Sequence, residues 1–108
     1  MSRFWFAVLV LAVSLPAQAR GNADSGKAKA AQVCAACHGP NGNKPSAPDQ
    51  PVLAGQYYDY LVRALSDYKS GARSNGIMKG FAGQLSKQDI EDLAAWFSSQ
   101  KSALHDQR

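Results

Sequence analysis

Apolar residues recur at spacings of three and four along two segments of the chain, which is the period of an amphipathic helix. The first segment is residues 57–70, and Gly71 is placed to end that helix. The second begins at Ser86, where Asp89 three residues later gives a pattern that resembles a capping box, and it ends near Lys101. Alternation of apolar and polar residues never extends beyond a few positions. The pattern therefore predicts an all-α domain.

A third helix, poorer in large apolar residues, is predicted before these two. Asn22 or Asp24 can cap it, and its small apolar residues suit the close approach of another helix. It runs into a long segment, residues 39–56, whose four prolines and three glycines exclude a regular helix or a central strand. Residues 72–84 carry three glycines and are predicted to be a loop with room for one helical turn. Three main helices and two long loops are therefore expected.

Residues 1–19 have the composition of a secretory signal peptide. Arg3 supplies a short basic start, an apolar stretch follows over residues 4–15, and the segment ends in a small-x-small pattern at Ala19. The apolar stretch is shorter than the roughly 20 residues that a membrane-spanning helix needs, so an uncleaved anchor is the less favoured alternative. We therefore expect cleavage after Ala19, export to a bacterial periplasm without stable membrane insertion, and a single domain over residues 20–108.

The charge of the chain is modest and evenly distributed. A formal net charge of +4 at pH 7, without a basic run, is too small to indicate nucleic-acid binding. A small exported domain buries a limited fraction of its apolar surface, and such domains usually add several disulfides or a metal. This chain has only two cysteines, Cys34 and Cys37. If both thiols react with another group, no disulfide can stabilise the domain. A bound group must then do so.

The two cysteines and His38 form the motif Cys-Ala-Ala-Cys-His, which is the attachment signature of a c-type haem. Residues three positions apart share one face of a helix, so both thiols can reach the two vinyl groups along one edge of a porphyrin, and the histidine then falls under the iron. The same letters can serve as half of a zinc site or as a thioredoxin-like redox pair. One motif predicts one covalent haem, around which short helices can pack.

The second axial ligand decides whether a haem transfers electrons or binds oxygen and peroxide. Met78 is the only methionine after the predicted cleavage site, and it lies between Gly76 and Gly80 in a segment able to bring the backbone close to a flat cofactor. A lone methionine is ordinarily a core residue. Its competitor is His105, which lies in a polar tail beyond the last helix. The sequence favours Met78.

Several motifs in order resemble one known family, the small class I cytochromes c. The similarity is greatest to the cytochrome c553 type and to a single half of the dihaem cytochromes c4, and it extends from about Asp24 to Gln100. It rests on the strings CAACHG, PVLAGQ, YLVRALSDYKSGAR and LSKQDIEDLAAWFSSQ, with the loop methionine between the last two. The resemblance implies a class I cytochrome c fold wrapped around one haem c.

The resemblance also implies roles for individual residues. Cys34 and Cys37 would form the thioether bonds, His38 would be the proximal ligand of the iron and Met78 the distal one. The backbone carbonyl of Pro51 would accept a hydrogen bond from the second ring nitrogen of the proximal histidine and fix the orientation of the ring. The alternative is that Pro51 is an ordinary loop proline without a role at the cofactor.

Two further positions match the family pattern. At the crossing of the first and last helices, Gly26 would let the ring of Trp96 pack between two nearly perpendicular helices. Arg73 follows the string S-G-x-R and would either approach a haem propionate or remain a solvated side chain.

These observations favour a monomeric, monohaem electron carrier that docks transiently with redox proteins as donors and acceptors. The iron would alternate between ferric and ferrous states while both ligands stay bound. A haem protein with an open sixth position, acting as a peroxidase or ligand binder, is the enzyme-class alternative and requires an unligated Met78. A subunit of a larger redox enzyme is also consistent with the sequence, whereas a haem-free thiol oxidoreductase lacks the strands that such motifs accompany.

Overall fold

The computed structural model describes residues 7–10 and 21–102 of the chain. Most of the predicted signal peptide and the tail with His105 lie outside these residues. Five helices form the described part: α1 Ala23–Val33, α2 Ala35–His38, α3 Tyr58–Ser70, α4 Gly76–Ala82 and α5 Lys87–Ser99. Residues 7–10 and 21–102 contain no strand and no helix long and apolar enough to cross a membrane. The all-α prediction is confirmed, with α1, α3 and α5 as the three main helices.

Helix α4 corrects the prediction of a loop over residues 72–84. Its N-cap is Asn75, whose side-chain oxygen accepts hydrogen bonds from the backbone N–H groups of Ile77 and Met78, both at 3.1 Å. These bonds satisfy two of the donors that a helix start leaves unpaired. Gly76 and Gly80 weaken helix propensity, but the cap and packing against α3 compensate. The asparagine was the sequence signal for this helix, and the glycines concealed it.

The predicted ends of the main helices agree with the structure. The Asn22 side chain accepts from the N–H of Ser25 at 3.0 Å and caps α1. At the start of α5, the Ser86 hydroxyl accepts from the Asp89 N–H while the Asp89 carboxylate accepts from the Ser86 N–H, both at 3.0 Å. The backbone hydrogen bond from Ser86 holds the pKa of Asp89 below its usual value. Gly71 ends α3 with a left-handed φ of +87°, which favours glycine.

Helices α1 and α5 pack directly on each other at Gly26. A Cβ atom at Gly26 would lie 1.9 Å from the carbonyl oxygen of Asp92 and 2.9 Å from Cβ of Trp96, so only glycine permits this approach. The ring of Trp96 extends beyond the crossing: its Nε1 donates to the carbonyl of Pro40 at 3.0 Å, and Nζ of Lys27 lies 5.6 Å from its centroid. The two predicted partners do meet, through the tryptophan Cβ atom.

The start of α1 is tied to α5 by a buried carboxylate. Asp92 is only 8% exposed, and its Oδ1 accepts from the backbone N–H of Asn22 at 2.7 Å and from Nε2 of Gln88 at 2.8 Å. A negative charge beside the first turn of a helix is also favourable to the helix dipole.

The apolar core lies where α1, α3 and α5 meet. It consists of small residues from α1 and larger ones from the other elements: Ala30, Leu61, Leu85, Ile90, Leu93, Ala94 and Phe97. Helix α4 packs on α3, and the chain after α4 is held by a hydrogen bond from the Lys69 ammonium to the carbonyl of Leu85. This arrangement places α4 beside α3 and leaves a cavity next to the core.

We predict that Gly26→Ala destabilises the fold by about 1–3 kcal/mol, because the added methyl overlaps the α5 backbone and forces the two helices apart. Denaturant unfolding of the haem-loaded protein measures the effect. Gly80→Ala is the matched control, since a Cβ atom at that position would meet nothing within 4 Å and alanine favours the helix by about 0.5–1 kcal/mol. Equal stability of Gly26→Ala and wild type would contradict the close crossing.

Candidate cofactor site

The Cys-Ala-Ala-Cys-His motif begins at the junction of α1 and α2. Cys34 lies between the two helices, and its carbonyl accepts from the N–H groups of Cys37 and His38 at 3.2 and 3.0 Å. This turn brings both half-buried, unpaired thiols to one cavity. Within residues 7–10 and 21–102, no group of three or more His, Cys, Asp or Glu side chains is arranged to hold a metal ion.

His38 is buried, at 5% exposure, and its ring orientation is set by the loop that follows. Its Nδ1 lies 3.0 Å from the carbonyl oxygen of Pro51. Because a carbonyl oxygen only accepts hydrogen bonds, Nδ1 carries the proton and donates it. In the neutral imidazole, Nε2 then keeps its lone pair, and this is the form in which a histidine binds a metal ion.

A cavity of about 350 Å³ separates α4 from the CxxCH segment and the core. The thiols, the imidazole and Met78 all line it. The remaining wall is predominantly aliphatic and aromatic, and it includes Leu61, Leu65, Leu85, Leu93 and Phe97. Two thiols, one imidazole and one thioether around an apolar space are a donor set that fits a covalently attached haem.

The environment of Cys34 also distinguishes this site from a thiol oxidoreductase. Burial raises the pKa of the Cys34 thiol from 9.0 to about 11, and the nearby Lys29 offsets this only in part. The thiol therefore stays protonated at neutral pH, whereas reactive CxxC cysteines have lowered pKa values. This environment of the Cys34 thiol argues against thioredoxin-like chemistry.

Met78 lies on helix α4, where the sequence had predicted a loop. It is half-buried and lines the cavity together with its neighbour Ile77, which is more exposed, at 71%. Phe81, 43% exposed, lines the same cavity about one turn later. The sequence did not single out Ile77 or Phe81, because their shared position beside Met78 is visible only once α4 is recognised as a helix.

Arg73 is the only cationic side chain among the described residues that line the cavity. It is exposed, and two tyrosines hold it: the guanidinium lies 4.9 Å from the ring of Tyr68, and Nη1 donates to the hydroxyl of Tyr60 at 3.3 Å. The hydrogen bond to Tyr60 raises the pKa of Arg73. The Arg73 side chain is thus both exposed to solvent and part of the cavity rim, as either expectation for this residue allows.

Comparisons with known proteins agree with this site. A family model described as Cytochrome c matches residues 23–101. Cytochrome c4 of Pseudomonas aeruginosa is 47% identical over 97 residues, which cover 90% of this chain and 47% of that protein. Cytochrome c-554(548) of Halomonas halodenitrificans is 40% identical over 84 residues, which cover 75% of this chain and 99% of that protein.

A solved structure supports the same relationship. The crystal structure of reduced recombinant cytochrome c4 from Pseudomonas stutzeri matches with a TM-score of 0.70 and 46% identity, covering 77% of this chain and 47% of that one. The chain thus spans about half the length of the cytochromes c4 that it matches. It belongs to the cytochrome c family, as a class I c-type cytochrome that binds haem c covalently.

Proposed function

We propose that this chain is a one-electron carrier of the bacterial periplasm, with haem attached through Cys34 and Cys37 and with His38 and Met78 as the axial ligands of the iron. One observation carries the proposal: the four side chains line one apolar cavity, and the hydrogen bond from His38 to Pro51 leaves the other ring nitrogen ready to bind a metal. Its relatives are electron-transfer proteins of the cytochrome c4 type.

Haem iron supplies a reversible one-electron couple when it is bound. The protein must hold the ligands of the iron in place in both oxidation states, and it must keep water away from them. Burial of His38 and its bond to Pro51 serve the first purpose. The aliphatic wall contributed by Leu61, Leu93 and the other core residues serves the second.

Two protein ligands also argue for a carrier in preference to a peroxidase. If His38 and Met78 both held the iron, no coordination position would be left open for a substrate. Met78 is supplied by a helix whose first turn is capped by Asn75, so its backbone is anchored. A thioether is a soft ligand that favours ferrous iron and raises the haem potential.

Partners are proposed to be redox proteins that dock transiently. Tyr60, Ile77 and Phe81 expose apolar surface at residues that also line the cavity, as a short-lived docking face requires. Net charge is modest, so electrostatic guidance toward a partner would be limited. We propose that the carrier works as a monomer. Periplasmic placement is supported by the apolar segment that ends at Ala19.

Covalent attachment is the first testable consequence. Thioether bonds survive denaturation, so the haem should remain with the polypeptide on a denaturing gel and after extraction with acidified acetone. Replacing Cys34 and Cys37 together by alanine should abolish this retention. Release of intact haem from the wild-type protein would contradict the assignment of the two cysteines.

The role of Met78 is tested by two substitutions. Met78→Ala should open the sixth position, with loss of the far-red absorbance band of methionine-ligated ferric haem and new binding of cyanide or carbon monoxide. Met78→His should keep both positions filled but lower the midpoint potential by more than about 100 mV, because imidazole donates more strongly than a thioether.

Exchange of Met78 for leucine offers the matched control, since it preserves bulk and removes only the sulfur ligand. It should behave like the alanine variant in spectra. A wild-type protein that already binds carbon monoxide readily would replace the carrier proposal with the open-site alternative.

Export is tested on protein purified from the native host. Mass spectrometry should find Arg20 at the amino terminus of the mature chain, because the small residues at 17 and 19 match a signal-peptidase site. A mature species that still carries residues 4–15 would indicate membrane anchoring instead.

A further inference from the structure

The side chain of Gln50 organises a turn in the loop after the haem-attachment motif. Its Oε1 accepts hydrogen bonds from the Ser46 N–H at 2.9 Å, the Ser46 hydroxyl at 2.9 Å and the Ala47 N–H at 3.1 Å. Two of these donors are backbone N–H groups, which an amide nitrogen cannot accept, so the orientation of the Gln50 amide is determined. The turn is closed by the Gln50 N–H, which donates to the Ala47 carbonyl at 3.1 Å.

This turn is attached to the motif at both of its ends. At one end the Ser46 N–H also donates to the carbonyl of Cys37 at 2.8 Å, so that it is shared between Cys37 and Gln50. At the other end Gln50 is followed by Pro51, whose carbonyl accepts from Nδ1 of His38. Gln50 therefore lies between a contact to a predicted thioether residue and the contact that orients the predicted proximal ligand.

Pro51 cannot hold its own position through a backbone donor, because proline has no N–H. On its carboxyl side, the loop is fixed by the Leu53 N–H, which donates to the carbonyl of Gly42 at 2.9 Å. On its amino side, the side-chain contacts of Gln50 provide the corresponding support. The Pro51 carbonyl is thus held between two anchored residues, and Gln50 is one of them.

We propose that Gln50 is a positioning residue for the haem iron couple, acting through Pro51 and His38. The inference rests on the proposed function, in which His38 is the proximal ligand. A firm hydrogen bond at Nδ1 makes an imidazole a stronger donor to its metal, which favours ferric iron. Loss of the Gln50 contacts loosens Pro51, weakens this bond and raises the midpoint potential.

The test compares Gln50→Leu with the wild type in the haem-loaded protein. Leucine preserves approximate size and removes the acceptor. The variant should shift the one-electron equilibrium at least threefold toward ferrous iron, about 28 mV at 59 mV per tenfold change. In reduced protein, NMR should show at least tenfold faster hydrogen exchange at the Ser46 and Ala47 amides and at Nδ1 of His38.

Two further variants separate positioning from general loop disorder. Gln50→Glu retains an acceptor for both amides and should restore slow exchange at Ser46, Ala47 and His38. Gln88→Leu removes one side-chain hydrogen bond at the start of α5, away from the cavity, and should change neither readout.

The outcomes distinguish this inference from the function on which it rests. Faster exchange at Ser46 and Ala47 with an unchanged potential and unchanged His38 exchange would show that Gln50 stabilises only the turn, and would overturn the inference. A His38→Ala variant that keeps the wild-type ligand spectrum would overturn the proposed ligation itself.

Discussion

The hydrophobic core and the cofactor cavity of this domain share the same side chains. Leu61, Leu85, Leu93 and Phe97 belong to the buried cluster, and each also forms part of the cavity wall. A chain of this size can bury only a limited apolar area, and it has no disulfide between its cysteines. A flat apolar group in the cavity would therefore complete the core as well as supply the chemistry. Folding and haem binding would then depend on the same packed side chains.

The helices pack differently on the two sides of the core. On one side, α1 and α5 approach so closely at Gly26 that no cofactor could enter between them. On the other, α3 and α4 stand apart from the CxxCH segment and leave the cavity. The packing of α1 on α5 fixes the end of α1, where the motif begins. The position of Cys34, which directly follows α1, is set by that packing.

Much of this arrangement could be predicted from the sequence because its determinants are local. The spacing of Cys34, Cys37 and His38 and the cap at Ser86 act within one turn of helix, and the structure has both features as expected. The pattern predicts a loop where helix α4 lies, because its two glycines disfavour a helix more strongly than one capping asparagine favours it. The contacts of Gln50 could not be inferred, because they depend on the path of a proline-rich loop that no periodicity describes.

The proline-rich loop has no regular structure, but its hydrogen bonds fix the surroundings of His38. Pairing of buried backbone groups leaves few of its positions undetermined: Lys44 donates to the carbonyl of His38, and Ser46 donates to that of Cys37. Proline at position 51 then restricts the backbone where its carbonyl meets the histidine ring. A backbone carbonyl cannot change its charge, so Pro51 offers the ring the same acceptor at any pH. If His38 held the haem iron, this constant acceptor would keep the orientation of the ring the same in both oxidation states of the iron.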